Sequence, residues 1–195
     1  RKAPRFAVFL TSLRYPMTPE QQKLVIDIIL GRISYEEFAR SSGLDPAGQP
    51  DFAARALEET LTSQDGVTLE CVLLLIELFD RLTADLAPLL ATLLLQPWHY
   101  KHEDIARYLQ ELCIPATADA LALAVLVKHD YLANNDSHAL ARKCIWALAD
   151  IGTPEARNHL EQLAHTRDPE IAYYAKKRLD NWHDELQRKG QTPSE

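Results

Sequence analysis

Leu140-Ala-Arg-Lys-Cys-Ile-Trp-Ala-Leu-Ala-Asp-Ile-Gly-Thr-Pro-Glu-Ala156 reads as a helix, a stop and the start of a second helix. Gly152 suits the left-handed position just past a helix end, where a side chain would be strained. Thr153 can cap the next helix, and Pro154 fits a first turn that needs no backbone donor. A tight antiparallel helical hairpin follows. The unit recurs upstream: Leu109 to Leu121 superposes on Leu148 to Leu160 with a constant offset of 39 residues, matching Leu109 with Leu148, Leu112 with Ile151, Pro115 with Pro154 and Leu121 with Leu160. A third start stands at Asp168-Pro-Glu-Ile171, after which Ile171, Ala175 and Leu179 form an apolar stripe. A period of this size is that of stacked helical repeats.

These residues resemble a HEAT-like repeat, whose first helix ends in Ile-Gly and whose second opens with Thr-Pro-Glu-Ala. Arg142, Ala147-Leu148, Ile151-Gly152 and Thr153-Pro154-Glu155-Ala156 fill that pattern, and the resemblance extends over residues 101 to 182. It implies an all-α fold, an α-solenoid of HEAT-like helical hairpins over 67–186 with an N-terminal helical cap over 1–66. The polar 187–195 tail is expected to fray, within a single domain.

Upstream, Thr18-Pro-Glu-Gln21 reads as a capping box, and Leu24, Val25, Ile28 and Ile29 give a buried stripe before Gly31. Ser34 starts a short helix anchored by Phe38 and stopped by Gly43. Leu44 to Gln49 then reads as the one flexible connection, and any subdomain boundary is expected there. Phe52 to Leu61 forms an amphipathic helix closed by Asp65-Gly66, Leu69 to Leu82 a central helix apolar nearly all round, and Ala84 to Leu95 another, broken at Gln96-Pro97. Nine or ten helices and no strand are expected.

The composition, 47% apolar with only six glycines, fits a helix-rich buried core. No apolar run reaches membrane-spanning length, and the basic then apolar opening lacks a small-residue cleavage site, so no signal peptide is read. Cys71, Cys113 and Cys144 each sit in a helical apolar pattern, which suggests reduced thiols in a cytosol. The net charge of −7 is carried entirely by residues 45 to 85, with nine acids against two bases, while the remainder balances at nineteen against nineteen. Such a band disfavours nucleic acid and anionic membrane and favours a cationic partner, although a solvated helix face has the same composition.

Chemistry-bearing patterns are few. His99 and His102 could face one metal, but a metal site needs more ligands, and Trp98 to Asp104 reads equally as a helix entry with its aromatics covering the core. His102-Glu103 looks like one of the His-Glu pairs by which the HEAT-like deoxyhypusine hydroxylases hold two irons. No second pair exists, and the repeat offset brings Ala141 and Arg142 to the matching positions. The HEAT-like alkylpurine DNA glycosylases use a basic, aromatic face, for which Trp98, Trp146 and Trp182 supply aromatics without a gathered basic stripe. Neither a nucleophile elbow nor a phosphate-binding glycine loop occurs. Arg142 reads as a scaffold residue bonding Asp150 or Asp168, and Trp146 as core filling. Lys128 to Ser137 interrupts the repeats with polar groups and Tyr131, either as a binding edge or as a turn in which Asp136 caps the next helix.

The chain also resembles the compact HEAT-like immunity proteins of polymorphic toxin systems. That implies a protein-binding, non-enzymatic inhibitor, without cofactor or metal, which occludes the active site of a basic toxin domain as a monomer in a heterodimeric complex. The interface expected on this reading comprises Glu58, Glu59, Asp65, Glu70, Glu77, Asp80 and Asp85, which would steer the partner, and a rim of Trp98, His99, Tyr131 and Asp136. A scaffold or assembly factor, akin to the phycobilin lyases that share helical repeats, is the alternative.

Overall fold

The computed structural model describes residues 16–132 and 138–188, and among them the regular structure is entirely helical, with eleven α-helices joined by short turns. Two compact units meet at Asp80 and Arg81. The sequence places a subdomain boundary at Leu44–Gln49 instead. There the Asp45 side chain accepts from the Gly48 N–H at 2.8 Å and from the Tyr35 hydroxyl, and Leu44 is buried. An aspartate that bonds its own backbone makes a turn out of a stretch that composition marks as a linker.

In the first unit, α1 (Pro19–Ile29) starts with the expected capping box of Thr18 and Gln21, and α2 (Tyr35–Ser42) with Ser34 at its N-cap and Gly43 left-handed at its end. α3 (Phe52–Ser63) ends on Gln64 at φ 52, not on a glycine. The Asp65-Gly66 pair expected to close α3 opens α4 (Gly66–Leu78) instead, Asp65 accepting from the Thr68 N–H. A short carboxylate side chain satisfies an orphan donor more effectively than a glycine ends a helix that can already turn at Gln64. α1 packs on α2 and α4, and α3 on α4, around Val25, Phe38, Phe52, Leu57, Leu69, Leu75 and Ile76. The Met17 N–H donates to Thr68 Oγ1 at 2.9 Å in the interior, tying the entry of α1 to α4.

α5 (Ala87–Leu94), α6 (His102–Leu112), α7 (Ala118–Leu126), α8 (Ala139–Ile151), α9 (Pro154–Leu163), α10 (Pro169–Asp180) and α11 (Trp182–Arg188) form the second unit. Both α6 and α7 pack on α8, while α9 lies against α7, α8 and α10. The caps read from sequence are present: Gly152 is left-handed at φ 70, Thr153 accepts from the Ala156 N–H, and Asp168 from the Glu170 and Ile171 N–H groups. The 39-residue correspondence holds where packing demands it. Leu109 and Leu148 are fully buried, as are Leu121 and Leu160, each worth roughly 1.5–3 kcal/mol of apolar burial.

Cys113, the counterpart of Gly152, adopts the same left-handed conformation at φ 50. Polar rungs join the two hairpins: Gln110 Nε2 donates to Asp150 Oδ2 at 2.6 Å, and His159 Nε2 to Asp119 Oδ1 at 2.8 Å. Asp168 receives the His138 ring, and the Arg142 guanidinium lies 5.8 Å from the centre of the Tyr174 ring. Trp146, expected in the core, is 41% exposed with Arg178 stacked 5.5 Å from its centre, because it falls on the arc of α8 opposite Cys144, Ile145 and Leu148. Residues 187 and 188 of the expected tail belong to α11.

Candidate functional site

The carboxylates expected to meet a partner divide between the units. In the first, Glu58 is exposed and Glu59 half-buried on α3, and burial with the neighbouring Glu58 charge holds Glu59 above the usual carboxylate range despite Arg55. Asp65 serves as the N-cap of α4, and Asp51 pairs with Arg55 at 3.1 Å, so part of the band's charge is used within the unit. α4 carries the most coherent stretch. Val67, Glu70, Leu74, Glu77 and Leu78 recur at three-, four- and seven-residue spacings and so share one face, on which Val67, Leu74, Glu77 and Leu78 are exposed and Glu70 is half-buried. Its opposite face buries Leu69, Val72, Leu75 and Ile76. Such a helix shows solvent an apolar stripe edged with carboxylates, which the reading of α4 as a fully central helix missed. Asp80 is exposed at the end of the unit with φ 51, and Asp85 is exposed in the second unit.

Within the second unit, the expected rim resolves into a stack of rings. Trp98 meets His99 edge-on at 5.0 Å, His99 stacks on His102 at 4.1 Å, and His102 lies 3.7 Å from His129. Tyr131 packs against Tyr100 at 5.0 Å and His129 at 5.7 Å. Sequence reasoning placed His99 at the surface, but the structure buries it completely together with His102.

Backbone carbonyls explain that burial. At the end of α5 the Leu93 carbonyl accepts from the Gln96 N–H at 2.9 Å and takes a second donor, His99 Nε2–H, at 2.8 Å; just beyond, Gln96 O accepts from His102 Nε2–H at 2.7 Å. His99 Nδ1 then accepts from the Lys101 N–H at 3.1 Å, and His102 Nδ1 from the Tyr131 hydroxyl at 2.9 Å. Both imidazoles are thus satisfied as neutral rings. Burial, reinforced by His99, lowers the His102 pKa to about 3, and burial lowers those of His99 and His129. Tyr131 is pushed up to about 12, by burial first and then by Glu103 and Asp104.

Little coordination capacity remains in this stack. The ring nitrogens of His99 and His102 are committed, and Glu103 pairs with Lys143 at 2.8 Å, so both residues of His102-Glu103 are engaged within the fold. Among the described residues, no group of three or more His, Cys, Asp or Glu side chains is placed to hold a metal ion. Trp98 is half-buried, whereas Tyr100, expected to cover the core, is 74% exposed. Asp136 lies outside the described residues.

Next to the stack lies a cleft of about 330 Å³ between the end of α7, the start of α8 and the α9–α10 turn. It adjoins a shallower hollow of about 480 Å³ between α7 and α9, beside which Leu123 and Leu126 are 56% and 57% exposed. Sequence reading passed over both, since Leu123 and Leu126 follow the same apolar spacing as the buried Leu121 and Val125. The polar Lys128–Tyr131 stretch was the available signal. No family model, characterised protein or solved structure was found to match this chain.

Proposed function

We propose that this chain is a protein-binding module of HEAT-like helical hairpins that inhibits a cationic effector protein by covering its active site. The observation that carries the reading is the outward face of α4, where Val67, Leu74 and Leu78 supply apolar contact and Glu70 and Glu77 supply negative charge. Apolar groups at an interface contribute affinity once water leaves, and flanking charges chiefly accelerate encounter with a partner of opposite sign. The 39-residue register of the buried pairs Leu109/Leu148 and Leu121/Leu160, the matching left-handed turns at Cys113 and Gly152 and the polar rungs between the hairpins support the HEAT-like reading, as does the resemblance of Leu140–Ala156 to that repeat. Repeats of this kind have large side-chain surfaces as their natural output, and the inhibitor role itself rests on the resemblance to immunity proteins.

The test is capture of the partner from the native cell, followed by assay of the captured protein with and without the bound chain. Inhibition is expected, with an association rate that falls at least about 10-fold from low to high salt. Charge reversal at Glu58 and Glu77 should slow association without unfolding the chain, because both side chains are exposed. A captured partner that keeps full activity, or binding indifferent to salt and to both reversals, overturns the reading.

A further inference from the structure

The outward face of α4 has an occupant within reach along the chain itself. The described residues begin at Pro16, and the Met17 N–H donates to Thr68 Oγ1 at 2.9 Å, so residues 1–15 join the fold beside the first turn of α4. Val67, next to that anchor, is the first of the exposed apolar side chains Val67, Leu74 and Leu78 on this face. The stripe from Val67 to Leu78 runs about 17 Å along the helix, whereas a segment of fifteen residues reaches about 22 Å as a helix and about 50 Å extended.

Composition matches the segment to the face. Residues 1–15 hold four cations, Arg1, Lys2, Arg5 and Arg14, and no acid, while residues 16–80 hold twelve acids against four bases, a net charge of −8. Between Arg5 and Arg14 stand the apolar Phe6, Val8, Phe9, Leu10 and Leu13. The tether keeps the segment at a high effective concentration beside α4, so contacts that are weak singly suffice. We propose that residues 1–15 dock on the outward face of α4 in the same chain, with their apolar side chains against Val67, Leu74 and Leu78 and their cations toward the net negative charge of this unit. On the inhibitor reading proposed above, on which this consequence rests, the segment is a built-in competitor that a cationic effector displaces.

Photocrosslinking of the full chain, with p-benzoylphenylalanine installed at Phe9, tests the inference. The expected product is a cross-link within the monomer, mapped by mass spectrometry of its digest to Gly66–Leu78. The double reversal Arg5→Glu, Arg14→Glu should lower the yield of that cross-link at least about 3-fold, as attraction between exposed charges turns to repulsion. A cross-link found only in covalent dimers assigns the segment to a second copy, one mapped elsewhere in the monomer or none at all leaves α4 without this occupant, and an unchanged yield in the double reversal removes the charge match; each of these results overturns the inference. No effector takes part in the experiment. Its failure therefore leaves the inhibitor reading standing, and failure of that reading leaves a cross-link to α4 in place.

Discussion

Acidification should destabilise this chain through His102, in a direction set by the burial of its ring. The ring is fully buried, donates to Gln96 O and accepts from Tyr131, and its pKa falls from 6.5 to about 3 in the folded state. Between those values the unfolded chain binds a proton that the folded chain refuses, so stability rises with pH there and is lost as pH falls below about 6.5. One proton per molecule corresponds to about 1.4 kcal/mol per pH unit, or about 2.7 kcal/mol from pH 7.5 down to pH 4.5. That is a large share of a typical domain's 5–15 kcal/mol. Urea unfolding at about pH 7.5, 6, 5 and 4.5 measures the slope, and His102→Gln, which keeps a donor toward Gln96 but cannot take up a proton, should flatten it by roughly one proton. His99 and His129, also lowered by burial, keep a residual slope in the variant. Equal slopes for the parent and His102→Gln below pH 6 would show that His102 titrates alike in both states, and the account of the ring stack as a neutral carbonyl cap would fail.

Two further outcomes concern the hairpin ends and the thiols. Gly152→Ala places a side chain at φ 70 and should cost about 1–2 kcal/mol by thermal or urea unfolding, whereas Cys113→Gly at the matching φ 50 should stabilise by up to about 1 kcal/mol; a Gly152→Ala without cost, or a Cys113→Gly that destabilises, would break the equivalence of the two turns. Burial pushes the Cys71 thiol up to about 11 and Cys144 up to about 12, so a thiol reagent at pH 8 should modify no more than Cys113 among the three, and rapid native labelling of Cys144 would contradict its burial.

Much of the fold was legible because its signals are local. Thr18, Ser34, Thr153 and Asp168 cap helices as read, since an oxygen two or three bonds from Cα needs no tertiary context to find the third N–H. Gly43 and Gly152 end helices for the same reason. Sequence failed where the outcome depended on neighbours. Gln64 and Cys113 turn left-handed without being glycine, so the composition gave no stop signal at either. Trp146 is apolar but lies on the wrong arc of α8, and only the placement of α10 shows that arginine, not core, covers it.

The site was read less well than the fold. His99 and His102 were noticed as a pair, yet their role follows from carbonyls at Leu93 and Gln96 that carry no mark in the sequence. His129 and Tyr131 belong to the same stack across nearly thirty residues, a distance that no local pattern spans. The acidic band was visible as a count, but charge counting does not distinguish Asp65 as a cap, or Asp51 paired with Arg55, from Glu58 exposed on α3.

The cross-hairpin bonds from Gln110 to Asp150 and from His159 to Asp119 bear on how this chain can change length. Adding or removing one residue inside α6, α7, α8 or α9 rotates everything beyond it by about 100° and pulls one of those bonds out of reach. Gains and losses are therefore better tolerated between these helices than within them, and the exposed Lys128 just after α7 is a natural place to graft a reporter peptide beside the neighbouring cleft.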